Sequence, residues 1–208
     1  PRSSSAASDV YKRQAITDSA NLFGFLKFYK SVRSKGIKPI AGAEINHVRD
    51  SSSHNEHANL TLIAKNHLGY KNLIKLISKS QIVGKTSGIP VIETEWLAEH
   101  SDGLIALSGG FRGHIGKAVL DTNHDLFLKR IKYFQKIFKE DFILEISRIN
   151  RPQEDLYNDY ILSKAGELGL PVVATNEVRF INKEDYEAHE TRVCIQKGEV
   201  LSDARRTR

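Results

Sequence analysis

Four oxygen-bearing side chains stand where short apolar runs turn polar. They are Asp18 after Ala15-Ile16-Thr17, Glu44 after Ala41-Gly42-Ala43, Ser108 after Gly103–Leu107, and Glu177 after Pro171–Asn176. Carboxylates gathered at the carboxyl ends of several strands are what a hydrolytic metal site needs. Hard oxygen ligands and imidazoles hold cations that activate water and bind phosphoryl oxygens. The eight histidines are poorly placed to complete such a set. His54 and His57 lie in a polar loop, and only His47 closely follows a strand. His67, His100, His114, His124 and His189 fall on or beside helices. None has HxH or HExxH spacing, so each reads as a surface or capping residue. Gly109–Gly116 holds four glycines around Arg112 and His114. Such a run can cradle a phosphate at a helix start, or simply make a turn.

The elements that would position these residues alternate regularly. Ala15–Thr17 ends a strand, and Asn21–Lys35 places Leu22, Phe25, Leu26, Tyr29 and Val32 on one helical face. Gly36 stops that helix before a strand over Ile37–Ile45. A polar loop, Asp50–Ala58, leads to the strand Leu60–Ala64 and then to a helix over Leu68–Gln81. Gly84–Pro90 reads as a loop, Thr94–His100 as a short helix and Gly103–Leu107 as a strand. Helices over His114–Leu120 and His124–Phe138 precede the strand Phe142–Ile146. The helix Glu154–Leu168, the strand Pro171–Thr175 and the helix Asp185–Ile195 follow. The strands are short and continuously apolar, which predicts burial on both faces and parallel pairing. Repeated strand–helix units without GxGxxG or a P-loop favour an α/β barrel of TIM type over a dinucleotide-binding sheet.

Composition narrows the class. The 208 residues are 40% hydrophobic and 27% charged, with one cysteine, Cys194. One cysteine excludes an internal disulfide and a cysteine-based zinc site, and a reducing cytoplasm suits it. No apolar run approaches the length that crosses a bilayer, so no membrane partner is expected. The net charge of +6 is spread out: residues 1–14 and 201–208 carry +2 each, leaving +2 for 15–200. Lys129-Arg130-Ile131-Lys132-Tyr133-Phe134-Gln135-Lys136 has helical spacing and reads as a solvated helix face. Direct nucleic-acid binding is therefore weakly supported. Residues 1–14 have no apolar period and look non-native, so the domain is expected to run from Ala15 to about residue 200. Residues 201–208 would begin a connection onward or end the expressed piece.

The phrases Ala15-Ile16-Thr17-Asp18, Asn21-Leu22-Phe23-Gly24, Gly36–Glu44, Leu60–Asn66, Gly69–Leu73, Gly103–Gly110 and Gly169–Phe180 together resemble a known family. It is the PHP (polymerase and histidinol phosphatase) domain that opens the alpha subunits of bacterial replicative DNA polymerase III. The resemblance runs from about Ala15 to Asp203 and implies a distorted seven-stranded β/α barrel. The family's opening HxH motif is absent before Ala15, so the first barrel strand is expected to be missing.

Members that keep the metal site hold a cluster of cations and act as phosphoesterases or 3′–5′ exonucleases. The resemblance maps six ligand positions here onto Ser19, Glu44, Asn59, Gly110, Glu177 and Arg179, with Asp18 flanking them. Two of the six keep a carboxylate, and the other four are poor metal ligands. Residues 177 and 179 would share one strand face, and Arg179 brings a permanent cation to this place and is expected to pair with Glu177 or Glu44. No catalytic residue and no cofactor are then expected, as in the proteobacterial branch of the family. There the domain supports the polymerase core and helps dock a separate proofreading exonuclease subunit. The implied partners are that subunit, the remainder of the alpha subunit and, through the full-length protein, DNA. Residues for nucleotidyl transfer would lie beyond Arg208. The rival reading is an active phosphoesterase using Mn, Zn or Mg with Asp18, Glu44, His57 and Glu177.

Overall fold

The computed structural model describes residues 13–48, 57–86 and 88–203. The chain divides into two units, residues 1–174 and 175–208. The first unit is a mixed sheet with helices. Its strands are β1 (Arg13–Ser19), β2 (Lys38–Val48), β3 (His57–Ala64), β4 (Lys85–Thr86), β5 (Ile89–Glu93), β6 (Leu104–Leu107), β7 (Phe142–Ser147) and β8 (Val172–Thr175). The helices are α1 (Phe25–Arg33), α2 (His67–Ile82), α3 (Thr94–Glu99), α4 (His114–Leu120), α5 (His124–Phe138) and α6 (Glu154–Leu168).

The strand order is β4-β5-β2-β3-β6-β7-β8, with β1 also on β2. β2 is long enough to take two parallel partners on one edge. β1 pairs with Lys38–Glu44 and β5 with Asn46–Val48. The expectation of wholly parallel pairing fails at β3, which runs antiparallel to both β2 and β6. Only eight residues separate Val48 from His57, too few for a parallel crossover, so the chain must turn straight back. Gly84–Pro90, expected as a loop, carries β4, which pairs antiparallel with β5. β1 begins at Arg13, two residues before the expected domain start, and residues 1–12 lie outside the described residues.

One core underlies the sheet. Leu60 and Leu62 of β3 are completely buried with Leu73 and Leu76 of α2, and Phe127 and Phe134 of α5 join the same cluster as Phe142 of β7. The Phe134 and Phe142 rings stack with centroids 5.2 Å apart. Helix starts follow side-chain caps where the sequence supplies them. Asn66 accepts from the Gly69 amide at 3.0 Å, and Asn123 from the Leu126 amide at 3.0 Å. The charged face of α5, with Lys129, Lys132 and Lys136, is exposed, in line with the solvated-face reading.

The second unit holds a 3-10 turn over Lys183–Asp185 and the helix α7 (Tyr186–Lys197). Asn182 and Asp185 form a reciprocal capping box at its entry, and Cys194 is buried.

Candidate functional site

At the carboxyl end of β1, Ser19 stands in register with Glu44 of β2, and the Ala20 amide donates to the Glu44 carbonyl at 2.7 Å. The strand stops there because Ala20 turns left-handed, with φ of 53°. Asp18 is committed to structure: its Oδ2 accepts from the Gly24 amide, 3.1 Å away, at the head of α1. A carboxylate suits that place, where the helix dipole is positive. Asn21 completes the turn, donating to the Ser19 carbonyl at 2.8 Å and accepting from the Phe23 amide at 2.9 Å. These bonds explain why α1 begins at Phe25 rather than Asn21.

The antiparallel course of β3 brings Asn59 to this same end of β2. Asn59 is in register with Asn46 and lies diagonally from Glu44, whose partner is Thr61. Its Nδ2 donates to Glu44 Oε1 at 3.1 Å. The Asn59 backbone forms a bridge with Gly113 and crowds the turn after β6. A Cβ on Gly109 would sit 2.0 Å from the Asn59 carbonyl oxygen. Gly109 and Gly110 have φ of 77° and 53°, a conformation suited to glycine. Ser19, Glu44, Asn59 and the Gly109–Gly110 turn are thus gathered in the first unit.

One donor of the turn is already taken. The Gly109 amide donates to Glu145 Oε2 at 3.1 Å, so a carboxylate of the protein already takes that donor. Glu145 in turn is fastened by its amide to Ser108 Oγ at 2.9 Å, and its carbonyl accepts from the Tyr157 hydroxyl at 2.8 Å. Burial, the largest influence, pushes the Tyr157 phenol well above its ordinary pKa. Sequence reasoning missed Glu145; the sign available was a lone acid inside the apolar strand Phe142–Ser147.

His47 and His114, expected at the surface or as caps, are both buried. His114 Nε2 donates to the His47 carbonyl at 3.0 Å, and the two rings meet edge to face at 5.1 Å. The His47 ring also stacks on Tyr133 at 6.1 Å, so this pair belongs to the core. His54 lies outside the described residues. His57 opens β3, where its carbonyl accepts from Lys117 Nζ at 2.7 Å.

The donor set of the first unit does not fit a hydrolytic cation. Ser19 offers a hydroxyl, Gly110 offers no side chain, and Asn59 turns an N–H rather than a lone pair toward Glu44. Among the described residues, no group of three or more His, Cys, Asp or Glu side chains is placed to hold a metal ion.

In the second unit, Glu177 and Arg179 lie in irregular backbone past β8, not on one face of a continuing strand. Arg179 Nη2 is 3.6 Å from Glu177 Oε2, with the side chains 44% and 28% exposed. That is an ion pair open to water. Among the described residues, no helix is long and apolar enough to cross a membrane.

Comparison with known proteins bears on this arrangement. The PHP domain family matches residues 4–149. The chain is 45% identical over 192 residues to the DNA polymerase III subunit alpha of Vibrio cholerae, covering 92% of this chain and 16% of that protein. It is 43% identical over 194 residues to that of Escherichia coli K12, covering 93% and 17%. With the Haemophilus influenzae subunit it shares 40% over 206 residues, covering 99% and 18%. The chain thus spans about a sixth of the length of these relatives. A solved structure from Bifidobacterium adolescentis, described as a candidate metal-dependent phosphoesterase, aligns with a TM-score of 0.52. The alignment covers 90% of this chain and 88% of that one at 11% identity, which shows a shared fold of barrel type.

Proposed function

The chain belongs to the PHP-domain family, and from that premise we propose that it is the PHP portion of a replicative DNA polymerase III alpha subunit with a structural rather than catalytic role. It supports the polymerase core in the cytoplasm and docks a proofreading exonuclease subunit. Nucleotidyl transfer and contact with DNA belong to the rest of that polypeptide. Identities of 40–45% to alpha subunits over nearly the whole chain support the assignment.

The silent role rests on one observation: each retained carboxylate faces an N–H donor where a metal would need a ligand. Glu44 accepts from the Asn59 amide, and Glu177 pairs with the Arg179 guanidinium. A guanidinium stays protonated at any physiological pH, so the second pair cannot be converted into a ligand set by deprotonation.

Elemental analysis of purified protein, followed by Mn²⁺ and Zn²⁺ titration with thermal melts, tests this role. The expected result is no stoichiometric metal, no melting shift and no nuclease activity. Stoichiometric metal with a raised Tm and phosphodiester hydrolysis would overturn it. Docking is tested by co-purification with the cognate exonuclease subunit, and failure to co-purify would remove that part of the proposal.

A further inference from the structure

The outward faces of α2 and α5 differ in kind. Helix α5 exposes His124, Asp125, Lys129, Lys132 and Lys136 and no apolar residue, which makes an ordinary solvated face. Helix α2 buries Leu73, Leu76 and Ile77, yet apolar residues also stand on its outer side. Leu68 is 53% exposed and Ile82 is 80% exposed. With the exposed Lys71, Lys75 and Ser78 they make one row, spaced alternately three and four residues apart. That spacing is the seam along which one helix packs on another. The row is about 21 Å long at about 1.5 Å per residue. Its charge is lysine alone, since residues 57–92 carry five lysines and no acid. Lys65 is paired with Asp141, and Lys79 turns over the Trp96 ring at 4.4 Å. Among the described residues, Lys71 and Lys75 have no carboxylate within ion-pair distance.

We infer that the outer face of α2 is a docking seam for an acidic amphipathic helix of a different protein. Apolar residues of that helix lie against Leu68 and Ile82, and its carboxylates lie against Lys71 and Lys75. Anchors at these spacings are how a helix is read by the surface it docks on. Opposite charge at the middle of the seam fixes the register and speeds the encounter, while the apolar ends hold the pair together. A centre that is charged rather than apolar suits two molecules that meet and part, since permanent interfaces are more hydrophobic. The inference concerns this face alone and holds whether or not the chain is part of an alpha subunit.

Charge argues against two other occupants. A second copy would bring Lys71, Lys75 and Lys79 of its own α2 and no acid, so like charges would oppose each other at the centre of the seam. A nucleic-acid backbone would meet only two uncommitted lysines and would leave Leu68 and Ile82 without partners. It would also run beside the exposed Glu95 and Glu99 of α3, the helix whose Trp96 touches Lys79.

Titration of the 208-residue chain with a labelled synthetic helix, followed by fluorescence anisotropy, tests the inference. The peptide is about 20 residues long, with leucines at the two ends of its seam and glutamates at the centre. Saturable binding that weakens with added salt is expected. The double variant Lys71→Glu, Lys75→Glu should lose about tenfold or more in affinity. A peptide with lysines in place of its glutamates should bind that variant and not the original chain. Both substituted positions are exposed, and thermal melts of the variant should match those of the original chain. Ile82→Asp should weaken binding of the first peptide from the apolar end. Absence of saturable binding, or equal affinity for the double variant, would overturn the inference. So would a short DNA duplex that binds more tightly than the peptide and loses affinity in the same variant. Self-association of the chain that the double variant abolishes would overturn it as well.

Discussion

The two sides of β2 start from similar residues and end differently. On one side, β3 buries Leu60 and Leu62 completely, and α2 closes over them with Leu73 and Leu76. On the other side, β1 is parallel and well registered, yet four of its seven residues are exposed and α1 above it has no fully buried residue. Both helices are amphipathic. Periodicity therefore says that a helix has an apolar face, while burial depends on what lies opposite that face.

The same substitution on the two sides measures this difference directly. Leu73→Ala empties a fully buried position and is expected to cost about 2–5 kcal/mol. Leu26→Ala, on the open side, is expected to stay within about 0.5 kcal/mol in this chain. Urea unfolding of the two variants gives both numbers. Equal losses would mean that α1 is packed in solution, and the contrast between the flanks would collapse.

A smaller effect is expected where the closed side meets the candidate site. Gly109→Ala forces a side chain into a left-handed conformation and against the Asn59 carbonyl, 2.0 Å from the new Cβ. Strain of this kind costs about 1–3 kcal/mol. Thermal melting would report it, and an unchanged Tm would show that the turn relaxes freely.

The sequence revealed local structure better than juxtaposition. The helices His114–Leu120, His124–Phe138 and Glu154–Leu168 were legible to the residue because apolar spacing and flanking glycine or asparagine define them locally. Parallel pairing was misread at β3, because a continuous apolar strand looks the same in either direction. The short separation between Val48 and His57, too few residues for a parallel crossover, was the clue that settles it. Family resemblance named Glu44 and Asn59 together, but not the hydrogen bond that joins them. That contact depends on the antiparallel register. The buried His47–His114 pair was illegible for a related reason. Each residue sits at the end of its own element, and only packing brings the rings together.

Acid should sharpen the comparison further, because the closed side contains a carboxylate held entirely by donors. Burial works to raise the Glu154 pKa. The amides of Ile149, Asn150 and Arg151 and the Ser147 hydroxyl outweigh it and hold the group below the usual carboxylate value. A lowered folded-state pKa contributes stability that is complete above the unfolded value and is lost as pH falls through the folded one. Glu154→Gln should therefore lower the urea midpoint at neutral pH. The gap from the unsubstituted chain should close as pH drops below the ordinary carboxylate range, about 4. A gap that persists unchanged in acid would show that the carboxylate charge is not what Glu154 contributes.

The two carboxylate pairs at the candidate site positions should differ from each other in effect, and their ranking follows from exposure. Glu44 and Asn59 are partly buried within the sheet, so Asn59→Ala removes a charge-assisted hydrogen bond without easy replacement by water. A loss of about 1–2 kcal/mol is expected. Glu177 and Arg179 face water at 3.6 Å, and Arg179→Ala should change stability by about 0.5 kcal/mol or less. Arg179 would then serve by excluding a cation rather than by holding the fold. Metal titration of the Arg179→Ala variant separates these roles. If stability is untouched and Mn²⁺ still does not bind, the guanidinium is not what keeps a cation from Glu177. If Mn²⁺ binds once the guanidinium is gone, Arg179 is what keeps a cation away from Glu177.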